Sequence, residues 1–207
     1  MKRLYGYGVM ALFVALTAGL IWGVSASEKS PKLAKPATVE KVDLARYMGK
    51  WYEIASMPMY FQRRCVGNTT ATYSLKPNGR VSVLNACDTR EGRIDARAEA
   101  RVMDPETGAK LKVSFLKLLT WQYWLGGDYW ILALEPTAYR YAIVGHPHRR
   151  YGWVLSRTPQ LSDEDARAIL TKLETLGYDP SRFISTPQTG GWSVKRSLPE
   201  AISASTP

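Results

Sequence analysis

Ile94-Asp95-Ala96-Arg97-Ala98-Glu99-Ala100-Arg101-Val102-Met103 alternates without a fault. Ala96, Ala98, Ala100 and Val102 fall on one face, and Arg97, Glu99 and Arg101 on the other. A period of two belongs to a β-strand with one face packed and one in water. The packed face is mostly alanine, so it lines a space without filling it.

Outward from this strand the same period recurs, with turn residues between segments. Upstream lie Trp51–Ser56, Thr70–Lys76 and Arg80–Asn85, the last two flanking Pro77-Asn78-Gly79, where Asn-Gly predicts a tight hairpin. Downstream, Asp104-Pro105-Glu106-Thr107-Gly108 is a turn. Leu111–Lys117, Tyr129–Leu134, Tyr141–Val144 and Tyr151–Arg157 complete eight strands. One helix follows. Ser162 is its N-cap, Asp163, Glu164 and Asp165 fill the first turn, Ala166, Ile169, Leu170, Leu173 and Leu176 form an apolar stripe, and Gly177 is the stop. Eight sequential strands make a meander, and a meander loses its exposed edges by closing. The fold expected is all-β: an eight-stranded antiparallel up-and-down barrel with one helix packed outside. A barrel of eight strands is just wide enough for one small ligand.

The 207 residues suit one domain, read here as 42–189. Lys2 and Arg3, an apolar run from Val9 to Val24 and the small residues Val24-Ser25-Ala26 form a secretory signal over residues 1–26. The uncharged stretch Leu4–Ser27 is also long enough for an uncleaved anchor. No cysteine lies near it, so a lipid-modified N-terminal cysteine is not expected. Residues 27–41 read as a flexible leader and 190–207 as a disordered tail, both without periodicity. Basic residues outnumber acidic ones 28 to 18, giving +10, which loss of Lys2 and Arg3 lowers by two. For an exported protein that balance favours anionic membrane surface as a partner, not nucleic acid.

Export also places Cys65 and Cys87, the chain's two cysteines, where thiols pair. A two-residue turn at Asn78-Gly79 sets Cys87 opposite Thr70, five positions from Cys65. The bond then requires the chain to curl back before Asn68, through Gly67.

Three separated motifs carry a resemblance. Gly49-Lys50-Trp51-Tyr52-Glu53 resembles the Gly-x-Trp signature of the lipocalin family. Pro136-Thr137-Ala138-Tyr139 resembles its second signature, with Ala138 where Asp is common, and Ser156-Arg157-Thr158-Pro159 its third. Together with Trp-Tyr-Glu-Ile-Ala and Ala-Thr-Tyr-Ser-Leu, the pattern is most similar to bacterial lipocalins related to apolipoprotein D and the plant temperature-induced lipocalins. It spans about Val42 to Thr186. The resemblance implies binding or transport of a lipid, such as a fatty acid or lysophospholipid, in the bacterial periplasm or at the outer membrane.

Tracing the meander puts Gly49, Trp51, Tyr139 and Arg157 at one end of the barrel, where a guanidinium on an aromatic face closes it. Alternation points Tyr73, Val83, Asn85, Ala98, Val113, Phe115, Tyr129, Ile131, Val144 and Trp153 inward as ligand lining. The loops Met57–Cys65, Cys87–Gly92, Leu116–Asp128 and Gly145–Arg150 gather at the open end. Met57, Met59, Tyr60, Phe61, Leu118, Leu119, Trp121, Tyr123, Trp124 and Leu125 make an apolar throat there. His146 and His148 stand beside it, and Arg63, Arg64, Arg149 and Arg150 form a basic rim for an anionic head group. Glu53 alternates inward with Trp51 and Ala55 and reads as a buried carboxylate needing partners, a structural acid near the closed end more than a ligand contact.

No catalytic residue, cofactor or metal is expected. His146-Pro147-His148 lacks a third ligand, and Cys65 lacks a base. An enzyme on the same barrel and a binder of pigment or haem remain the alternative readings, and a homodimer stays open.

Overall fold

The computed structural model describes residues 33–116 and 122–205, apart from the side chain of Leu125. The signal segment, the first half of the leader, and Lys117, Leu118, Leu119 and Trp121 lie outside the described residues.

A one-turn helix α1 (Leu44–Tyr47) precedes eight strands: β1 (Gly49–Ser56), β2 (Gly67–Leu75), β3 (Val81–Thr89), β4 (Gly92–Val102), β5 (Lys110–Ser114), β6 (Gly127–Leu134), β7 (Tyr141–Gly145) and β8 (Gly152–Ser156). Then come α2 (Asp163–Thr175), a two-residue strand β9 (Ile184–Ser185) and α3 (Leu198–Ser203). Each strand from β2 to β8 is antiparallel to the next, β8 pairs with β1, and β1 pairs with β2, so the barrel closes. Single-turn 3-10 helices interrupt three loops at Tyr60–Gln62, Tyr123–Leu125 and Pro180–Arg182.

Burial explains why some strands alternate and others do not. β4 turns Arg93, Asp95, Arg97 and Arg101 to water, with Glu99 buried among them, so its sequence alternates; β7 is buried at all five positions, Tyr141 to Gly145. The difference is α2. Its Ala166, Ile169 and Leu173 join Ile54, Leu132, Ile143 and Val154 in a second apolar cluster outside the barrel. Strands covered on both faces read as continuous apolar runs. Ser162 Oγ accepts from the Asp165 N–H at 3.1 Å, and Gly177 leaves the helix at φ +74°.

Three local expectations change. The β2–β3 connection is a three-residue loop, with the Lys76 N–H donating to the Arg80 carbonyl at 2.8 Å and Gly79 at φ +74°. Tyr73 therefore faces Val83, and Thr70 faces Ala86 instead of Cys87. β5 stops at Ser114 instead of Lys117. Ser114 Oγ lies 3.2 and 3.0 Å from the carbonyls of Leu116 and Gln122, drawing both ends of the loop together. Gly126 passes so close to the Val113 carbonyl that a Cβ would lie 2.5 Å from it. Phe115 falls beyond the ladder and is 55% exposed, not inward.

The tail is the third. Within 190–205 the chain is ordered: α3 buries Leu198, Ala201 and Ile202, and the Glu200 carboxylate accepts from the Ser197 N–H at 3.2 Å. Only three apolar residues carry this packing, too few for a period to register. The second half of the leader is fastened too, through Val39 N–H to the Ile131 carbonyl at 3.1 Å.

Candidate functional site

The closed end is built around Trp51, which has no exposed surface. Its Nε1 donates to the Tyr47 carbonyl at 2.9 Å, and the Arg157 guanidinium lies over its ring, 3.8 Å from the centroid. Arg157 spends its donors on the carbonyls of Lys50, at 3.0 Å, and Arg46, at 2.7 Å. Gly49, at φ +94°, passes under that guanidinium, and a Cβ would meet its Nη1 at 3.4 Å. Buried Tyr139, also left-handed at φ 56°, accepts from the Asp43 N–H at 3.1 Å and lies under the Arg46 guanidinium. Asp43 caps α1, so Tyr139 fixes the helix that covers this end.

Inside, paired positions share a face: Tyr73 with Val83, Val83 with Ala98, Ile131 with Val144, and Val144 with Trp153. Val113 and Leu111 join them opposite Ala100 and Val102. Sequence reasoning missed Tyr47, which enters from α1. Its hydroxyl and that of Tyr73 each hydrogen-bond the hydroxyl of Tyr129, at 2.9 and 3.0 Å. Burial raises all three phenols, Tyr73 to about 12. Beneath them remains a space of about 10 Å³ against Leu44, Met48 and Val81, the room of a single water. The lower barrel is thus packed core. Above the tyrosines the inner wall meets solvent: Asn85 is half-buried, and its partner Ala96 is exposed.

At the open end Cys65 and Cys87 are bonded, Cα to Cα 5.6 Å. The chain does curl back through Gly67, where a Cβ would lie 2.8 Å from the Pro187 carbonyl. Asn68 turns left-handed at φ 49°, and Val66 N–H donates to the Asp88 carbonyl at 2.8 Å. Tyr60 (72% exposed) and Phe61 (53%) stand in water, whereas Met57 and Met59 are buried, Met57 in the outer cluster. The β5–β6 loop is only partly a throat. Tyr123 folds onto the outer wall, its hydroxyl donating to Glu99, which also pairs with Lys76 and Arg80; Trp124 is 76% exposed.

The four rim arginines divide. Arg63, Arg64 and Arg150 are exposed, and Arg64 pairs with Glu91 across the mouth at 2.7 Å. Arg149 turns inward on the fold, contrary to a rim role. At φ 52° it donates to the Leu176 carbonyl at the end of α2 (2.7 Å) and to the Ala34 carbonyl (2.8 Å). His146 is largely buried beside Asp128, its Nε2 3.7 Å from the carboxylate. Burial pulls its pKa down, against the pull of Asp128.

Glu53 is buried and turns inward opposite Leu155. Its carboxylate accepts from Thr186 Oγ1 at 2.7 Å, Gln62 Nε2 at 2.8 Å and Ser56 Oγ at 3.1 Å. It forms the floor of a cleft of about 260 Å³ between the β1–β2 loop and β9, with Gln62, Arg63 and Lys195 among its walls.

Comparison with known proteins places this geometry. A family model described as a lipocalin-like domain matches residues 42–188. Temperature-induced lipocalin-1 of Arabidopsis thaliana is 38% identical over 168 residues, covering 78% of this chain and 88% of that protein. Outer membrane lipoprotein Blc of Escherichia coli K12 is 34% identical over 184 residues, with coverages of 88% and 98%. Apolipoprotein D of Mus musculus is 32% identical over 191 residues, with coverages of 86% and 95%. Among solved structures, insecticyanin of the tobacco hornworm Manduca sexta superposes with a TM-score of 0.61 at 22% identity, over 80% of this chain and 94% of that one.

Proposed function

This chain belongs to the lipocalin-like family, and on that premise we propose that it carries one amphiphilic lipid in the cell envelope, tail in the upper barrel and head at the rim. The observation that carries this reading is the change along the inner wall. Below the Tyr47–Tyr129–Tyr73 layer the barrel is full; above it, half-buried Asn85 and exposed Ala96 face an opening rimmed by exposed aromatic and basic groups. An acyl chain of a fatty acid or lysophospholipid lies there on the tyrosine floor, against Tyr73, Val83, Asn85, Ala98, Tyr129 and Trp153. Val113, Ile131 and Val144 support that floor from the packed core. Relatives named outer membrane lipoprotein support an envelope location.

Tyr60, Phe61 and Trp124, with the guanidiniums of Arg63, Arg64 and Arg150, form the face that meets membrane, aromatic rings at headgroup level and cations on anionic lipid. The closed disulfide takes up Cys65, which supports a carrier over an enzyme. Native mass spectrometry with co-purified lipids tests the reading, expecting one bound amphiphile per chain. Ala96→Trp places an indole on the solvent-facing wall above the floor and abolishes that adduct with the melting temperature held. An adduct undiminished in that variant places the ligand elsewhere.

A further inference from the structure

Two features of the cleft above Glu53 point to the chemistry it accepts. Glu53 is 6% exposed, yet among the described residues no lysine, arginine or histidine forms an ion pair with it; its three side-chain partners are neutral donors. A buried charge without a counter-charge is costly. Gln62, which spends its Nε2 on Glu53, has its Oε1 buried with no partner among the described residues. A buried acceptor left unmade costs free energy that a donor brought by a ligand recovers. Both groups line the same cleft of about 260 Å³. Lys195, on its wall, already donates its ammonium to the Cys65 carbonyl at 3.0 Å, while Arg63 is exposed.

From this we infer that the cleft is the head-group pocket and takes a primary ammonium, its charge compensating Glu53 and one N–H donating to Gln62 Oε1. Arg63 and Lys195 then face the acidic oxygen of the same head group, so the preferred ligand is a zwitterion. The inference rests on the amphiphile-carrier reading and adds the head-group class. A quaternary ammonium supplies charge but no N–H, and a neutral glycerol head supplies neither the charge nor the fit to Glu53.

Affinities of the full chain for three lysophospholipids of one acyl chain, with ethanolamine, choline and glycerol heads, test it by fluorescence displacement, alongside free phosphoethanolamine by NMR titration. The ethanolamine lipid binds about tenfold more tightly than the other two, the scale of one charge-assisted hydrogen bond. Gln62→Leu brings the ethanolamine lipid level with the choline lipid, and Glu53→Gln removes the preference for ammonium altogether. Gln62 sits on a loop, so its variant keeps the test sound if Glu53→Gln fails to fold. Equal binding of all three lipids overturns the ammonium pocket and leaves the carrier reading standing. Binding of phosphoethanolamine that depends on Glu53, with no lipid bound, supports the pocket and overturns the carrier. Binding of neither overturns both.

Discussion

The two ends of the barrel treat a buried or half-buried charge in opposite ways. At the closed end the Arg157 guanidinium has an aromatic face beneath it and two carbonyls at its edge. At the open end, among the described residues, the Glu53 carboxylate has only neutral donors, and its neighbour Gln62 keeps an unspent acceptor. The first interaction is complete within the fold; the second is left for a partner to complete. Stability and binding are therefore expected to separate by end.

Trp51→Ala is the severest way to challenge that division. Removing a fully buried indole from the closed end destabilises by about 3–5 kcal/mol, read by urea unfolding. Arg157→Ala costs about 2 kcal/mol, the lost ring contact and carbonyl bonds together, and leaves affinity for a lipophilic probe within about twofold. A collapse of affinity with unmoved stability would place Arg157 in the binding machinery and break the comparison. Arg149→Ala costs about 1 kcal/mol through the freed Leu176 carbonyl, and leaves vesicle binding unchanged because this arginine does not reach the rim. Weakened vesicle binding would return it there.

His146 supplies the smallest effect. Burial lowers its pKa in the fold, so the unfolded chain binds the proton first as pH falls. The melting temperature of the wild type drops as pH descends through the ordinary histidine range near about 6.5, and His146→Gln flattens that slope. A wild-type melting temperature that rises over the same descent would show that Asp128 outweighs burial.

What could be read beforehand depended on how local its cause was. Alternation from Ile94 to Met103 located the inner wall because a strand's period lives in consecutive residues. Trp51 and Arg157 were legible as a pair because an aromatic and a guanidinium traced to one end have one common use. Phe115 was misplaced because the strand's end is set by Ser114 reaching a carbonyl eight residues on and by Gly126 passing Val113. Arg149 looked like a rim charge because nothing near it in sequence shows the carbonyl of Leu176. Glu53 was visibly in need of partners, but Thr186 lies 133 positions away. The hairpin at Asn78 carried the right signal and the wrong loop length, which shifted the register by one residue.

β1 and β2 pair only from Gly49 to Tyr52, and above that they part. The opening is sewn by residues 186–189: Thr186 N–H to the Ile54 carbonyl, Gln188 Nε2 to the carbonyls of Glu53 and Thr69, and Asn68 N–H to the Pro187 carbonyl. In terms of folding order, the first two strands made cannot seal against each other until a segment more than a hundred residues downstream arrives. Such closure is slow, because the entropy of a long loop is spent before the contact forms. Closing the seam beside Glu53 therefore carries a larger loop-entropy cost than forming any hairpin of the barrel.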